Sequence, residues 1–199
     1  MFAVVSLPAA AHPHVWIDVS VDFKLDSGGR LASVRQSWTF DEMFSSYAVF
    51  GLDTNGDGVY SAEELAPLKD EMISSYRPQG FFSKAVFGGA DVVLTEPEAA
   101  ELRVAPQGAL ILSFTQRPPS PETMAGETFR LQVRDPAVFI DFRFPPEMFG
   151  AVEPPTPQCT VARDDGQPPK TANPDALMRA LIDGTAQIPT RAVTLSCRS

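Results

Sequence analysis

The run HVWIDVSVDFKL, residues 14–25, alternates apolar and polar side chains without a break. Val15, Ile17, Val19, Val21, Phe23 and Leu25 fall on one side; His14, Trp16, Asp18, Ser20, Asp22 and Lys24 fall on the other. A period of two is the signature of a strand with one buried face, and a helix cannot present it. DSGGR then turns the chain and LASVRQSWTF runs back, so a hairpin opens the domain. Strand-like runs follow at 84–87, 91–95, 101–105, 109–116, 128–135 and 137–144, separated by glycine pairs and prolines, and RAVTLSC closes the chain. Short strands at this spacing build an antiparallel β-sandwich or a barrel; the expectation is a mainly β sandwich. The 199 residues suffice for one domain with an insertion.

The insertion is helical and spans 40–77. Thr39 and Glu42 have the spacing of a capping box. Phe40, Met43, Phe44, Tyr47 and Phe50 follow at helical spacing, and Leu65, Leu68, Met72, Ile73 and Tyr76 mark a second helix carrying Pro67 in its second turn. RPPSPETMAG, 117–126, reads as a loop. Residues 145–174 hold eight of the 19 prolines around one strand, CTVAR, and read as extended. NPDALMRALID, from Asn173, reads as a short C-terminal helix with Pro174 at its first position.

Between the inserted helices lies DTNGDGVYSAEE, which meets the calcium-loop pattern D-x-[DN]-x-[DN]-G-x5-E in full. Asp53, Asn55 and Asp57 take positions 1, 3 and 5; Gly58 makes the sharp turn at 6; Val59 offers its carbonyl at 7. Ser61 stands at 9 and Glu64 at 12, where both its oxygens can bind. Ca²⁺ takes six to eight oxygens at about 2.3–2.6 Å, and alternate residues of a tight loop deliver short carboxylates inward. A plainer reading exists: TNGDG is good turn sequence, and Ser61 with Glu64 is itself a capping box. Turn and cap leave Asp53 and Asp57 unexplained. With no second loop after residue 65, the expected role is a structural clamp rather than a switch.

The formal charge is −9, from 16 basic and 25 acidic residues, which argues against nucleic-acid binding. No apolar run reaches the length of a membrane span. Residues 1–11, MFAVVSLPAAA, read as the remnant of a signal peptide with cleavage before His12; the alternative is an ordinary N-terminal strand. The two cysteines, Cys159 and Cys197, are not in metal or redox spacing, and an even count fits one disulfide in an oxidising compartment such as the periplasm. Two buried free thiols are the alternative.

The only histidines, His12 and His14, share one face of an extended strand, with Asp18 further along it. Neutral imidazoles suit Zn²⁺, Ni²⁺, Co²⁺ and Cu²⁺. A square-planar copper or nickel site built on His14 as third residue is excluded, because Pro13 has no N–H to give up. Two inert histidines at a strand start are the plain alternative.

AHPHVWIDVSVDF, QSWTFDEMFS, GLDTNGDGVYSAEELAPL, RDPAVFIDF and PQCTVA together resemble a bacterial family of unknown function. That family is catalogued as a periplasmic component of an uncharacterised ABC-type transport system, with genes beside nickel/cobalt-type permeases. The resemblance spans about residues 11–199 and weakens over 163–190. It implies an exported accessory to metal transport, with a membrane permease for divalent metals as partner, and no established activity. Catalytic motifs are missing: there is no G-x-S-x-G, H-E-x-x-H or phosphate loop, so no enzyme is expected. The stripe Phe139, Ile140 and Phe142 reads as core. Three functions stand: a calcium-binding accessory protein that binds or passes on a transition metal; a calcium-stabilised interaction domain with inert histidines; and a copper enzyme using an N-terminal His12.

Overall fold

The computed structural model describes residues 15–137, 139–166 and 191–199. The signal-peptide remnant, His12, His14 and the helix expected from Asn173 lie outside the described residues.

The alternating run forms β1 (Val15–Leu25), with Ile17, Val19, Val21, Phe23 and Leu25 buried as their spacing requires. It pairs antiparallel with β2 (Arg30–Phe40), as the hairpin reading expects. The chain then crosses through two helices, α1 (Glu42–Ala48) and α2 (Ala62–Tyr76), and a tight turn at Arg77–Phe82. It continues as β3 (Ser83–Phe87), β4 (Ala90–Val92), β5 (Glu98–Val104), β6 (Leu110–Gln116) and β7 (Glu122–Thr123). After these come β8 (Thr128–Val133), β9 (Ile140–Arg143), β10 (Gly150–Glu153), β11 (Cys159–Asp164) and β12 (Ala192–Cys197).

Two sheets result. The seven-stranded sheet runs β10-β1-β2-β6-β5, with β9 beside the start of β1 and β7 beside β2. The five-stranded sheet runs β11-β12-β8-β3-β4. One hydrophobic core joins Phe23, Trp38 and Phe114 of the first to Phe129, Leu131 and Leu195 of the second, as in a sandwich. The rings of Phe23 and Phe129 meet edge to face at 5.9 Å. Most strands are antiparallel, but β9 and β10 lie parallel to β1, so the sheet is mixed. The helical insertion is the crossover that carries the chain from β2 in the first sheet to β3 in the second.

Three readings need correction. The segment 117–126 contains β7, and the proline-rich stretch contains β10 as well as β11; both extra strands are short, and pairing with an already formed neighbour stabilises what local propensity does not. In the stripe after 138, Phe142 is buried but Phe139 is 55% exposed, because it lies in the bend before β9 rather than in the strand. Thr39 does not cap α1. It is a β2 residue paired with Asp18 and Ile111, and the cap is Asp41, whose carboxylate accepts from the Phe44 N–H.

The turn after α2 is strained. Gly80, Phe81 and Phe82 have φ of 57°, 53° and 54°, a left-handed conformation that costs a bulky residue about 1–2 kcal/mol. Burial outweighs it: Phe81 is 2% exposed against Phe114, and Phe82 packs on Trp38, Tyr76 and Phe142. Full burial, as at Phe81, contributes about 1.5–3 kcal/mol, and partly buried Phe82 a share of that.

On the outward face of β1, half-buried Asp22 has its pKa raised above the ordinary 3.8, first by loss of hydration and then by the Glu153 carboxylate; the Ala151 N–H and Arg35 oppose the shift. A raised carboxyl pKa means that ionisation costs the folded state more than the unfolded one. The cost is absent well below pH 3.8 and complete above the folded pKa. Asp22→Asn is therefore expected to stabilise the protein at pH 7, with the gain fading as pH falls through that window. Denaturant unfolding of both proteins at pH 7 and pH 3 checks this; a gain of equal size at both values would refute the electrostatic cause.

Candidate metal centre

The loop between α1 and α2 is held at both ends by its flanking sequence. Asp41 caps α1 with one oxygen and accepts the Trp16 N–H with the other at 2.9 Å, tying the helix to the start of β1. Ser45 is fully buried; its hydroxyl donates to the Phe40 carbonyl and accepts from the Leu110 N–H at 2.9 Å, seating α1 on β6. At the far end Ser61 and Glu64 form the expected capping box of α2.

Inside the loop, Asp53 Oδ1 accepts the N–H groups of Gly56 and Asp57 at 2.8 and 3.2 Å, and Oδ2 accepts that of Gly58 at 3.0 Å. This wraps the chain around the first carboxylate. Gly58 has φ 77°, which explains the glycine at the sharp turn. Asp57 accepts from the Val59 N–H at 2.8 Å and from the Asn55 amide at 3.0 Å. Glu64 reaches back across the loop: Oε1 accepts from the Thr54 N–H and hydroxyl at 2.8 and 2.9 Å, and Oε2 from the Ser61 N–H and hydroxyl, both at 2.9 Å. These donors hold its pKa down to about 2, the Ser61 N–H contributing most, so Glu64 stays ionised throughout the physiological range.

The donor set fits a hard divalent cation: three carboxylates, one amide oxygen and the Val59 carbonyl in one twelve-residue turn. None of the three carboxylates has an ion-pair partner among the described residues. As placed, however, they do not converge. Among the described residues no three His, Cys, Asp or Glu side chains come close enough to hold an ion, because Glu64 uses both oxygens on Thr54 and Ser61. The turn-and-cap reading thus accounts for more of the loop than the sequence promised, since Asp53 and Asp57 also have backbone partners.

The second expected centre is thinner. Asp18, the acid on the face that His12 and His14 would share, is paired with Arg143 at 2.9 Å. Asp141, which faces Trp16 across the same strand pair, is paired with Arg191. Neither carboxylate is a ready third ligand. The sequence could not have shown this, because Arg143 on β9 is 125 residues from Asp18, and Arg191, just before β12, is 50 residues from Asp141.

Cys159 and Cys197 face each other across β11 and β12 and are joined in a disulfide, consistent with an exported protein. No helix among the described residues is long and apolar enough to cross a membrane.

Fold and site together define a disulfide-bonded, mainly β domain with a helical crossover that carries an acidic loop. The chain belongs to the family described as "Protein of unknown function (DUF1007)", whose model matches residues 1–192. No curated protein matches it.

Proposed function

We propose that this chain is an exported calcium-binding accessory protein that assists a transition-metal transport system, with its helix–loop–helix crossover acting as an EF-hand-like clamp. The observation that carries the calcium reading is Glu64 lying back across the loop onto Thr54, which brings position 12 of the pattern to the residue after position 1. Asp53, Asn55, Asp57 and Glu64, with the Val59 carbonyl and Ser61, would hold the ion. Bound calcium would supply a cross-link between the two helix ends and neutralise their charge. Glu64 would exchange its Thr54 partners for the ion, while Ser61 keeps the α2 cap. His12 and His14 would take up or pass on zinc, nickel, cobalt or copper to a permease, as the family resemblance implies.

A second reading has an observation in its favour: a calcium-stabilised interaction domain without transition metal, supported by the engagement of Asp18 with Arg143.

Metal content of the exported protein, purified without tags at either end, separates the two. Calcium with zinc or nickel supports the first, and calcium alone the second. Extracellular modules bind calcium at about 10⁻⁴–10⁻³ M. A tenfold excess over that constant stabilises by about 1.4 kcal/mol, which raises the melting temperature by about 3–6 °C for a domain of this size. Asp53→Ala and Glu64→Gln should each abolish the shift. An unmoved melting temperature in the parent, with no calcium retained, would sink both readings.

A further inference from the structure

The helical periodicity placed Met43, Tyr47 and Phe50 with the apolar residues of α1, yet they are 70%, 83% and 87% exposed. Of the seven large apolar side chains exposed among the described residues, four, these and Val59, belong to the crossover. The clustering has a shape. Between α1 and α2 lies a groove of about 440 Å³, lined by Phe44, Tyr47 and Phe50 on one side and Leu68, Met72 and Tyr76 on the other. Its floor joins the core, since Met72 is buried and the Tyr76 ring packs on Trp38 at 5.6 Å. Its rim is open.

Charge says what fits there. Residues 40–77 hold eight acids and two bases, a net −6 of the chain's −9. Glu71 lines the groove, and Glu42, Glu63 and Asp70 are exposed on the same two helices. Both bases are compensated: Lys69 pairs with Asp70 at 3.6 Å and Arg77 with Glu96 at 2.8 Å. A groove between two helices accepts a third helix through bulky side chains at i and i+3 or i+4. Here the flanks of that helix must be cationic, because an acidic one would meet uncompensated like charge within a Debye length of about 8 Å.

We infer that the α1–α2 groove is a docking site for a basic amphipathic helix of a partner protein. The inference goes beyond the calcium reading and does not depend on it. The test titrates the full chain with a designed Leu/Lys amphipathic helix of about 18 residues and with a Leu/Glu helix of the same apolar spacing. The Leu/Lys peptide is expected to bind one to one and the Leu/Glu peptide not at all. Tyr47→Ser with Phe50→Ser should weaken binding at least tenfold, and so should Glu71→Lys. All three side chains are exposed, so an unchanged unfolding midpoint shows that the fold is kept. Running the titration in excess calcium and again in chelator reads the groove separately from the loop. Equal binding of both peptides, equal binding to the double variant, or no binding in either condition overturns the inference. So does a dimer of the parent that the double variant dissolves, which would give the groove to a second copy of this chain.

Discussion

The double substitution Cys159→Ser/Cys197→Ser is expected to lower the unfolding free energy by about 4 kcal/mol. The chain-entropy estimate for a closed loop gives this for cysteines separated by 38 residues. It is a large share of the roughly 5–15 kcal/mol that holds a domain folded. Position adds to length. β11 is the outermost strand of its sheet, alternately exposed along its run, with β12 as its hydrogen-bonded neighbour. The cysteines pair at the open end of that ladder, with Cα atoms 4.0 Å apart. Cys197 is also bonded through its backbone to Gly126 and Glu127, so the bridge fastens an edge strand to the turn before β8. Urea unfolding of the double variant beside the parent, with and without reductant, measures the effect. Reductant should reproduce the loss in the parent and do nothing to the variant. A loss under about 1 kcal/mol would mean that the Arg130–Asp164 pair and the β12 ladder hold the edge unaided.

What the sequence disclosed follows from range. Features written in local periodicity or local spacing came through: the β1 alternation, the hairpin, the Ser61–Glu64 cap and the helices on either side of the loop are each encoded within a few residues. Features that depend on a distant partner did not. Asp18 looked like a spare ligand because its cation, Arg143, joins it only when β9 comes to lie parallel to β1. Thr39 looked like a helix cap because nothing local says that it continues a strand; its pairing with Ile111 on β6 decides the matter. β7 and β10 are too short to carry a period. The exposure of Tyr47 and Phe50 is the instructive failure. Apolar spacing on a helix reports a face that wants burial, and the fold buries only its Phe44 edge, leaving the remainder for a partner.

Trp38→Ala is expected to cost about 3–5 kcal/mol, the range for deleting a large buried aromatic side chain, and to loosen one part of the molecule more than the rest. Trp38 is fully buried, with ring centroids at 5.0 Å from Phe114 and Phe142, 5.6 Å from Tyr76 and 6.3 Å from Phe82. Those neighbours come from β6, β9, the last turn of α2 and the left-handed turn that follows it. The indole is therefore what the crossover leans on, and the strain at Phe82 is offset partly by contact with it. Its N–H also donates to Gln36 Oε1 at 3.1 Å; the Gln36 amide in turn donates to Gln116 and Ser83, a buried polar chain linking the two sheets. Trp38→Phe keeps most of the ring contacts but leaves that acceptor without its donor, a loss of about 1–3 kcal/mol. The smaller change should thus be the milder of the two, and both should exceed the effect of substitutions on the exposed rim at Tyr47 or Phe50. Hydrogen exchange gives the regional reading. In Trp38→Ala, protection in residues 62–76 should fall further than protection in β11 and β12, which are bridged by the disulfide and contribute none of these rings. If protection falls uniformly instead, the crossover is anchored elsewhere, and Ser45 on Leu110 with Asp41 on Trp16 would then be the contacts that fix the acidic loop and the groove to the sandwich.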